Sequence, residues 1–140
     1  IKQTIDDIRI KNKNQVLEKK AYVDLQTGLP NKSKCEEMLN NYEYITEPMG
    51  FVMFDLNNLK CANDTYGHAV GDQLITNFAR LLRNAIPAKD FVGRYGGDEF
   101  IAIITQTTKN EILKIMDEVH DEVRHFNENI HKVEVSYAYV

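Results

Sequence analysis

At 140 residues with 43% hydrophobic side chains, the chain has enough apolar material for one domain with a core and too little length for two ordinary domains. Its 17 basic and 21 acidic residues leave a net charge of −4 without any Lys/Arg-rich run. That balance argues against a nucleic-acid surface but is compatible with an anionic nucleotide held through a metal. Cys35 and Cys61 stand outside any Cys-x-x-Cys spacing, as expected of packing residues in a reducing compartment, and no apolar run approaches the length of a membrane span.

Residues 1–22 are rich in Lys, Asn, Gln and Asp, with Ile1, Ile5 and Ile8 at four-then-three spacing, which predicts a helix with a thin apolar seam. Asn12 and Gln15 continue that seam, weakening a coiled coil while helping to fix its register; a solvated helix and a dimerising stalk are both open at this point. A chain that opens on Ile1 rather than Met reads as part of a longer protein. Asp24-Leu25-Gln26-Thr27-Gly28-Leu29-Pro30-Asn31 predicts a structured loop, with Asn31 capping a helix that runs to about Asn41.

Phe51-Val52-Met53-Phe54 predicts a central strand buried on both faces. It ends on Asp55, at the strand end where open α/β folds place ligand-contacting groups; a strand-end helix cap is the structural alternative. From Leu56 to Asp72 loop-forming residues surround a single Lys60, as expected where backbone N–H groups and one ammonium wrap a phosphate chain, without the spacing of a P-loop. An amphipathic helix is predicted from Val70 to Ile86, before Pro87. Asp72 falls in its first turn, where the helix dipole alone would justify an acid. The functional alternative is that its two oxygens accept from N1–H and N2–H of a guanine.

Asp90-Phe91-Val92 predicts a short strand and Phe100–Ile104 a fully buried one, with Gly96-Gly97 as a two-residue hairpin turn between them. Alternation along a strand keeps Asp98 and Glu99 from aiming at one spot unless the hairpin is irregular. Asp55 converging with this corner suggests a hard metal ion, and Mg²⁺, which takes one or two carboxylates plus nucleotide phosphates, fits a site without a His or Cys cluster. Thr108 and Glu111 have capping-box spacing before a helix with Ile112, Leu113, Ile115, Met116, Val119, Val123 and Phe126 on its apolar side. His120, His125 and His131 lack metal-ligand spacing and carboxylate company and read as surface or boundary residues. Val133, Val135, Tyr137 and Tyr139, alternating with polar or small residues, predict a last strand with one wetter face.

Several separated motifs, in order, now carry a resemblance. They are the Asp24–Asn31 loop, Phe54-Asp55-Leu56 with Lys60, Asn63-Asp64 with Gly67-His68 and Gly71-Asp72, and Arg94-Tyr95-Gly96-Gly97-Asp98-Glu99-Phe100. From Asp24 to Val140 the chain resembles a GGDEF domain, the catalytic domain of bacterial diguanylate cyclases. The resemblance implies an α/β fold, a mostly antiparallel central sheet flanked by helices and related to the nucleotide-cyclase and polymerase-palm folds. It also implies condensation of two GTP into cyclic di-GMP with release of pyrophosphate. Two Mg²⁺, or Mn²⁺ in their place, would be held by Asp55, the Leu56 carbonyl and Asp98. Glu99 would help prepare the 3′-hydroxyl, Lys60 with the backbone of Asn58 and Leu59 would contact phosphate, and Asn63 and Asp72 would read guanine. Catalysis would need a homodimer, since each domain holds one GTP, and residues 1–22 would link residues 23–140 to an upstream sensory domain. The setting implied is the cytoplasm, alone or as the cytoplasmic part of a larger membrane-bound protein, without membrane or nucleic-acid contact by this segment.

The chain departs from the family pattern at Asn57, Leu59 and Lys32, none of them a metal ligand in that scheme. It also stops at Val140, before a further helix with phosphate-contacting basic residues, so the domain reads as lacking its C-terminal end. The inhibitory product site of the family, Arg-x-x-Asp, corresponds to Pro87-Ala88-Lys89-Asp90, which keeps the Asp and lacks the Arg. A non-catalytic GGDEF module that binds GTP or a partner as a regulatory switch is the alternative reading.

Overall fold

A computed structural model describes residues 2–42, 45–129 and 133–140; Ile1 of the predicted seam and His131 lie outside the described residues. The elements, in order, are α1 (Lys2–Tyr22), α2 (Lys32–Asn41), β1 (Met49–Leu56), α3 (Leu59–Tyr66), α4 (His68–Ala85), β2 (Phe91–Arg94), β3 (Glu99–Thr105), α5 (Lys109–Glu128) and β4 (Tyr137–Tyr139). Among the described residues the strands form a four-stranded sheet in the order β2-β3-β1-β4, with every pair antiparallel. The expected α/β architecture, with its N-terminal helix, is the one observed.

One face of the sheet carries the main core. Val52, Phe54 and Leu56 of β1, Phe100, Ala102 and Ile104 of β3, and Val92 of β2 are buried against Leu74, Ile75, Phe78, Leu81 and Leu82 of α4 and Met116, Val119 and Val123 of α5. The 3.6-residue spacing of the apolar side chains lets α4 bury one stripe. The helix stops at Ile86, ahead of Pro87, with the Ile86 N–H bonded to Leu82 O at 2.9 Å. Helix α5 starts on the predicted capping box, Thr108 accepting from Glu111 N–H and the Glu111 carboxylate from Thr108 N–H. Phe78 sits at the centre, edge-on to Phe100 with ring centroids 5.2 Å apart and to Phe54 at 6.0 Å. Truncation to Ala there would cost about 3–5 kcal/mol through lost burial and the cavity left behind.

The opposite face is covered only in part, by α2. Cys35, Ile101 and Ile103 form a smaller buried cluster with Met38, Leu39 and Phe91 around it, and Asn31 caps α2 as expected, its side chain accepting from Lys34 N–H. This coverage corrects the expectation that Phe51–Phe54 is buried on both faces. Val52 and Phe54 are buried, while Phe51 is 50% and Met53 38% exposed, because α2 reaches β2 and β3 but not this part of β1.

Four other expectations change. Residues 59–66, read as loop, form α3, bounded by Asn58 at φ 66° and Gly67 at φ 91°. Packing of Leu59 and burial of Ala62 in the main core override the loop tendency of Asn63, Asp64 and Thr65. Because α4 begins at His68, Asp72 lies one residue beyond the first turn, and no acid occupies that turn. The hairpin loop spans Tyr95–Asp98 rather than two glycines, with Arg94↔Phe100 the last strand pair and Glu99 O accepting from both Tyr95 N–H and Gly96 N–H. The last strand is only Tyr137–Tyr139, since the Asn127 side chain of α5 takes both the N–H and the C=O of Val135 at 2.9 and 2.8 Å in place of a ladder partner. At this edge His120, exposed as expected, stacks on Tyr137 and shares a hydrogen bond with its hydroxyl; burial pushes the Tyr137 phenol up to about 12. Along α1, Ile5 and Ile8 are exposed, and no helix among the described residues is long and apolar enough to cross a membrane.

Candidate functional site

Asp55 and Glu99 meet because of sheet register. They are direct partners across β1 and β3, so their side chains leave the sheet on the same face. Like charges placed opposite each other in a ladder are destabilising. Here no basic side chain among the described residues pairs with either carboxylate. Asp98 follows a different course, because it lies in the hairpin loop ahead of β3 rather than on the strand. Its carbonyl accepts from Leu56 N–H at 2.8 Å, and the residue lines a cleft with Leu56. The close approach of Glu99 to the turn explains Gly96: an added Cβ there would come 2.8 Å from Glu99 Oε1.

That cleft, about 520 Å³, is lined by Leu56, Asn58, Leu59, Lys60, Cys61, Asp64 and Asp98. One of its walls is the start of α3. Asn58 turns the chain with a left-handed backbone and gives that helix no side-chain cap, leaving the first-turn N–H groups free for an anion. Lys60 stands in the same turn, exposed and without an ion pair among the described residues. Asn57 is spent structurally, its N–H and side chain bonded to Ser136 of the segment before β4 at 2.8 and 3.2 Å. Cys61 and Asp64 belong to the lining but escaped sequence reading, because only the helical form of residues 59–66 turns them toward it.

The expected base-reading residues stand outside that lining, at the junction of α3 and α4. Asn63 packs against Gly71 so closely that a Cβ on Gly71 would fall 1.7 Å from Asn63 Oδ1, and this buried oxygen has no hydrogen-bond partner. A buried polar atom left open costs about 1–3 kcal/mol. Asp72 is exposed, and its Oδ1 accepts from Gln26 Nε2 at 3.0 Å.

Arg94 ties the hairpin to the loop after α1. Its guanidinium donates to Gly96 O at 3.1 Å, to Gly97 O at 2.8 Å and to Gln26 Oε1 at 2.8 Å, and it pairs with Asp24 at 3.2 Å. Burial would raise the Asp24 carboxyl, but hydrogen bonds from the Thr27 hydroxyl and N–H, followed by Arg94, outweigh it and hold the group below its ordinary 3.8. The loop is closed by Gly28 N–H on Asp24 O and by Asp24 N–H on Leu29 O, each 2.8 Å, and Gly28 takes φ 74°, where a side chain would be strained. Lys32 lies over the Tyr95 ring at 5.5 Å, adding a cation–π contact.

Pro87 and Asp90 sit apart from the cleft. The Asp90 side chain is fully buried, and its Oδ1 accepts from Thr105 N–H and hydroxyl at 3.1 and 3.2 Å and from Lys89 at 3.2 Å. It acts as a brace between β2 and the end of β3.

The donor set at the strand ends fits a hard cation. Asp55, Glu99 and Asp98 supply oxygen only, and among the described residues no group of three or more His, Cys, Asp or Glu converges as a metal cage. Mg²⁺ typically binds in this way, through one or two carboxylates with phosphate and water completing the shell.

The family model "Diguanylate cyclase, GGDEF domain" matches residues 21–139. The probable diguanylate cyclase DgcI of Escherichia coli is 36% identical over 107 residues, covering 74% of this chain and 23% of that protein. The signaling protein YkoW of Bacillus subtilis is 39% identical over 89 residues, 61% of this chain and 11% of that protein. Diguanylate cyclase DosC of Escherichia coli is 33% identical over 76 residues, 54% of this chain and 16% of that protein. This chain therefore spans less than a quarter of the length of each of these relatives. Among solved structures, the coiled coil and GGDEF domain of DgcB from Caulobacter crescentus, in complex with c-di-GMP, superposes with a TM-score of 0.87 at 21% identity, over 98% of this chain and 76% of that one. Diguanylate cyclase SiaD of Pseudomonas aeruginosa, in complex with its activator SiaC, gives 0.77 at 25% identity, over 98% and 55%. With the family model running from the end of α1 through β4, over the strand ends and helix junctions just described, this chain belongs to the GGDEF-domain family of diguanylate cyclases.

Proposed function

We propose that this domain joins two GTP into cyclic di-GMP, releasing pyrophosphate from each, with two copies of the domain facing one another. The observation that carries this reading is the convergence of Asp98, Lys60 and the uncapped start of α3 on one cleft, beside the Asp55–Glu99 pair. The α3 N–H groups at Leu59 and Lys60, the Asn58 backbone and the Lys60 ammonium hold the triphosphate. Asn63 and Asp72 hold guanine. Asp55, the Leu56 carbonyl and Asp98 would bind Mg²⁺, or Mn²⁺ in its place, and two such ions would neutralise charge on the attacking and leaving oxygens of an in-line displacement. Glu99 accepts the proton of the 3′-hydroxyl as that oxygen attacks the α-phosphorus of the facing GTP. Because each domain holds one GTP, the weak seam of α1 leaves proximity to an upstream sensory region, and GTP supply places the reaction in the cytoplasm.

Incubation of the chain with GTP and Mg²⁺, followed by chromatography of the nucleotides, tests this. Cyclic di-GMP should form at a rate per molecule that rises with protein concentration. GTP binding without product would replace catalysis with a regulatory binding role, and absence of both would overturn the site. The commitment of Asp90 to Thr105, with Pro87 where a planar donor fork would be needed, further supports weak product inhibition at that surface. Added cyclic di-GMP should leave the initial rate nearly unchanged, and tight inhibition abolished by Asp90→Ala would refute this.

A further inference from the structure

Gln26 lies in the loop between α1 and α2, far in sequence from the cleft, yet its amide joins Arg94 to Asp72. Its Oε1 accepts from Arg94 Nη1 at 2.8 Å and its Nε2 donates to Asp72 Oδ1 at 3.0 Å. A guanidinium only donates and a carboxylate only accepts, so the amide fits between them in a single orientation. Arg94 is itself anchored, on Gly96 O, Gly97 O and Asp24, which makes it a rigid end for the bridge. Asp72 has no such anchor of its own. It stands beyond the first turn of α4, and Gln26 is the one hydrogen-bond partner of its carboxylate among the described residues.

We propose that Gln26 is a positioning residue for base recognition: it fixes the Asp72 carboxylate so that Oδ2, and the remaining lone pair of Oδ1, face the two adjacent N–H donors of a guanine. The inference rests on Asp72 being the guanine-reading acid. Adenine offers a ring acceptor at the corresponding edge, so an aligned carboxylate rejects it while a freely rotating one rejects it less. The same guanidinium that holds the turn beside Asp98 thereby sets the carboxylate that selects the base.

The test compares wild type, Gln26→Leu, Gln26→Glu and Asp72→Ala by calorimetric titration with 3′-deoxy-GTP and 3′-deoxy-ATP in Mg²⁺; both nucleotides lack the attacking hydroxyl. Gln26→Leu removes the bridge, whereas Gln26→Glu keeps size and the Arg94 contact but turns an acceptor toward Asp72. Gln26 is exposed, so both variants should fold. Each should lose roughly tenfold in preference for guanine, with affinity for the adenine nucleotide held or raised. Equal weakening of both nucleotides would mark Gln26 as merely structural and overturn the proposal. Wild-type preference in both Gln26 variants, with preference lost in Asp72→Ala, would overturn the role of Gln26 alone. Wild-type preference in Asp72→Ala would overturn the reading of Asp72 and the proposal together.

Discussion

Gly71→Ala would place a methyl group 1.7 Å from Asn63 Oδ1 and 2.6 Å from its Cγ, so the Asn63 amide must move. The consequences for stability and for binding should diverge. Ala in a helix interior is favoured over Gly by about 1 kcal/mol, and the displaced Oδ1 makes no hydrogen bond that would be lost. Unfolding stability should therefore hold or rise by up to about 1 kcal/mol. On the proposed role of Asn63 in holding guanine, moving its amide costs a neutral hydrogen bond of about 1 kcal/mol, which corresponds to about a fivefold weaker Kd. Urea unfolding and titration with 3′-deoxy-GTP measure the two effects, and the Asn63→Ala background supplies the control. With the amide gone, Gly71→Ala should keep its stability gain and cause no further loss of affinity. Unchanged nucleotide affinity in Gly71→Ala, or the same fivefold loss in the Asn63→Ala background, would refute the reasoning.

Asp55→Asn and Asp98→Asn should each lower cyclic di-GMP formation by about a hundredfold or more, since several kcal/mol of charge stabilisation depend on them. Circular dichroism should be near wild type in both, and near-normal activity in either would remove it from the site. The Asp24 carboxyl is held below 3.8 in the fold, so its contribution to stability is present above that pH and disappears as pH falls through the lowered value. Acid unfolding of Asp24→Asn, compared with wild type, should lack that component, and identical acid profiles would contradict it. The two thiols should differ under an aromatic disulfide reagent at neutral pH. Exposed Cys61 should react at once, whereas Cys35, buried between α2 and the sheet and with its thiol pushed up to about 11, should react only on unfolding; rapid labelling of Cys35 would show that α2 does not pack closely on the sheet.

Much of the molecule is legible in the chain because its signals are local. The stripe of α4, the capping box at Thr108, the cap at Asn31 and the apolar run Phe100–Ile104 depend on neighbours within a few residues, and each appears where the pattern places it. Misreadings occur where long-range contacts compete with local tendency. Residues 59–66 look like loop until Leu59 and Ala62 find the core. Val135 looks like strand until Asn127 takes its backbone groups. Asp72 looks like a helix-terminal acid until the helix is found to start at His68.

The candidate site divides along the same line. Sequence alone supplied the candidates for its chemistry: oxygen donors at Asp55, Asp98 and Glu99 and one ammonium at Lys60. Tertiary structure alone decided what meets what. Register between β1 and β3 sets Asp55 against Glu99, helix packing seats Asn63 on Gly71, and Arg94 reaches Asp24 and Gln26 some seventy residues away. Side-chain chemistry and short-range periodicity are properties of a residue and its neighbours, whereas these meetings depend on how distant segments are brought together by burial of a shared core.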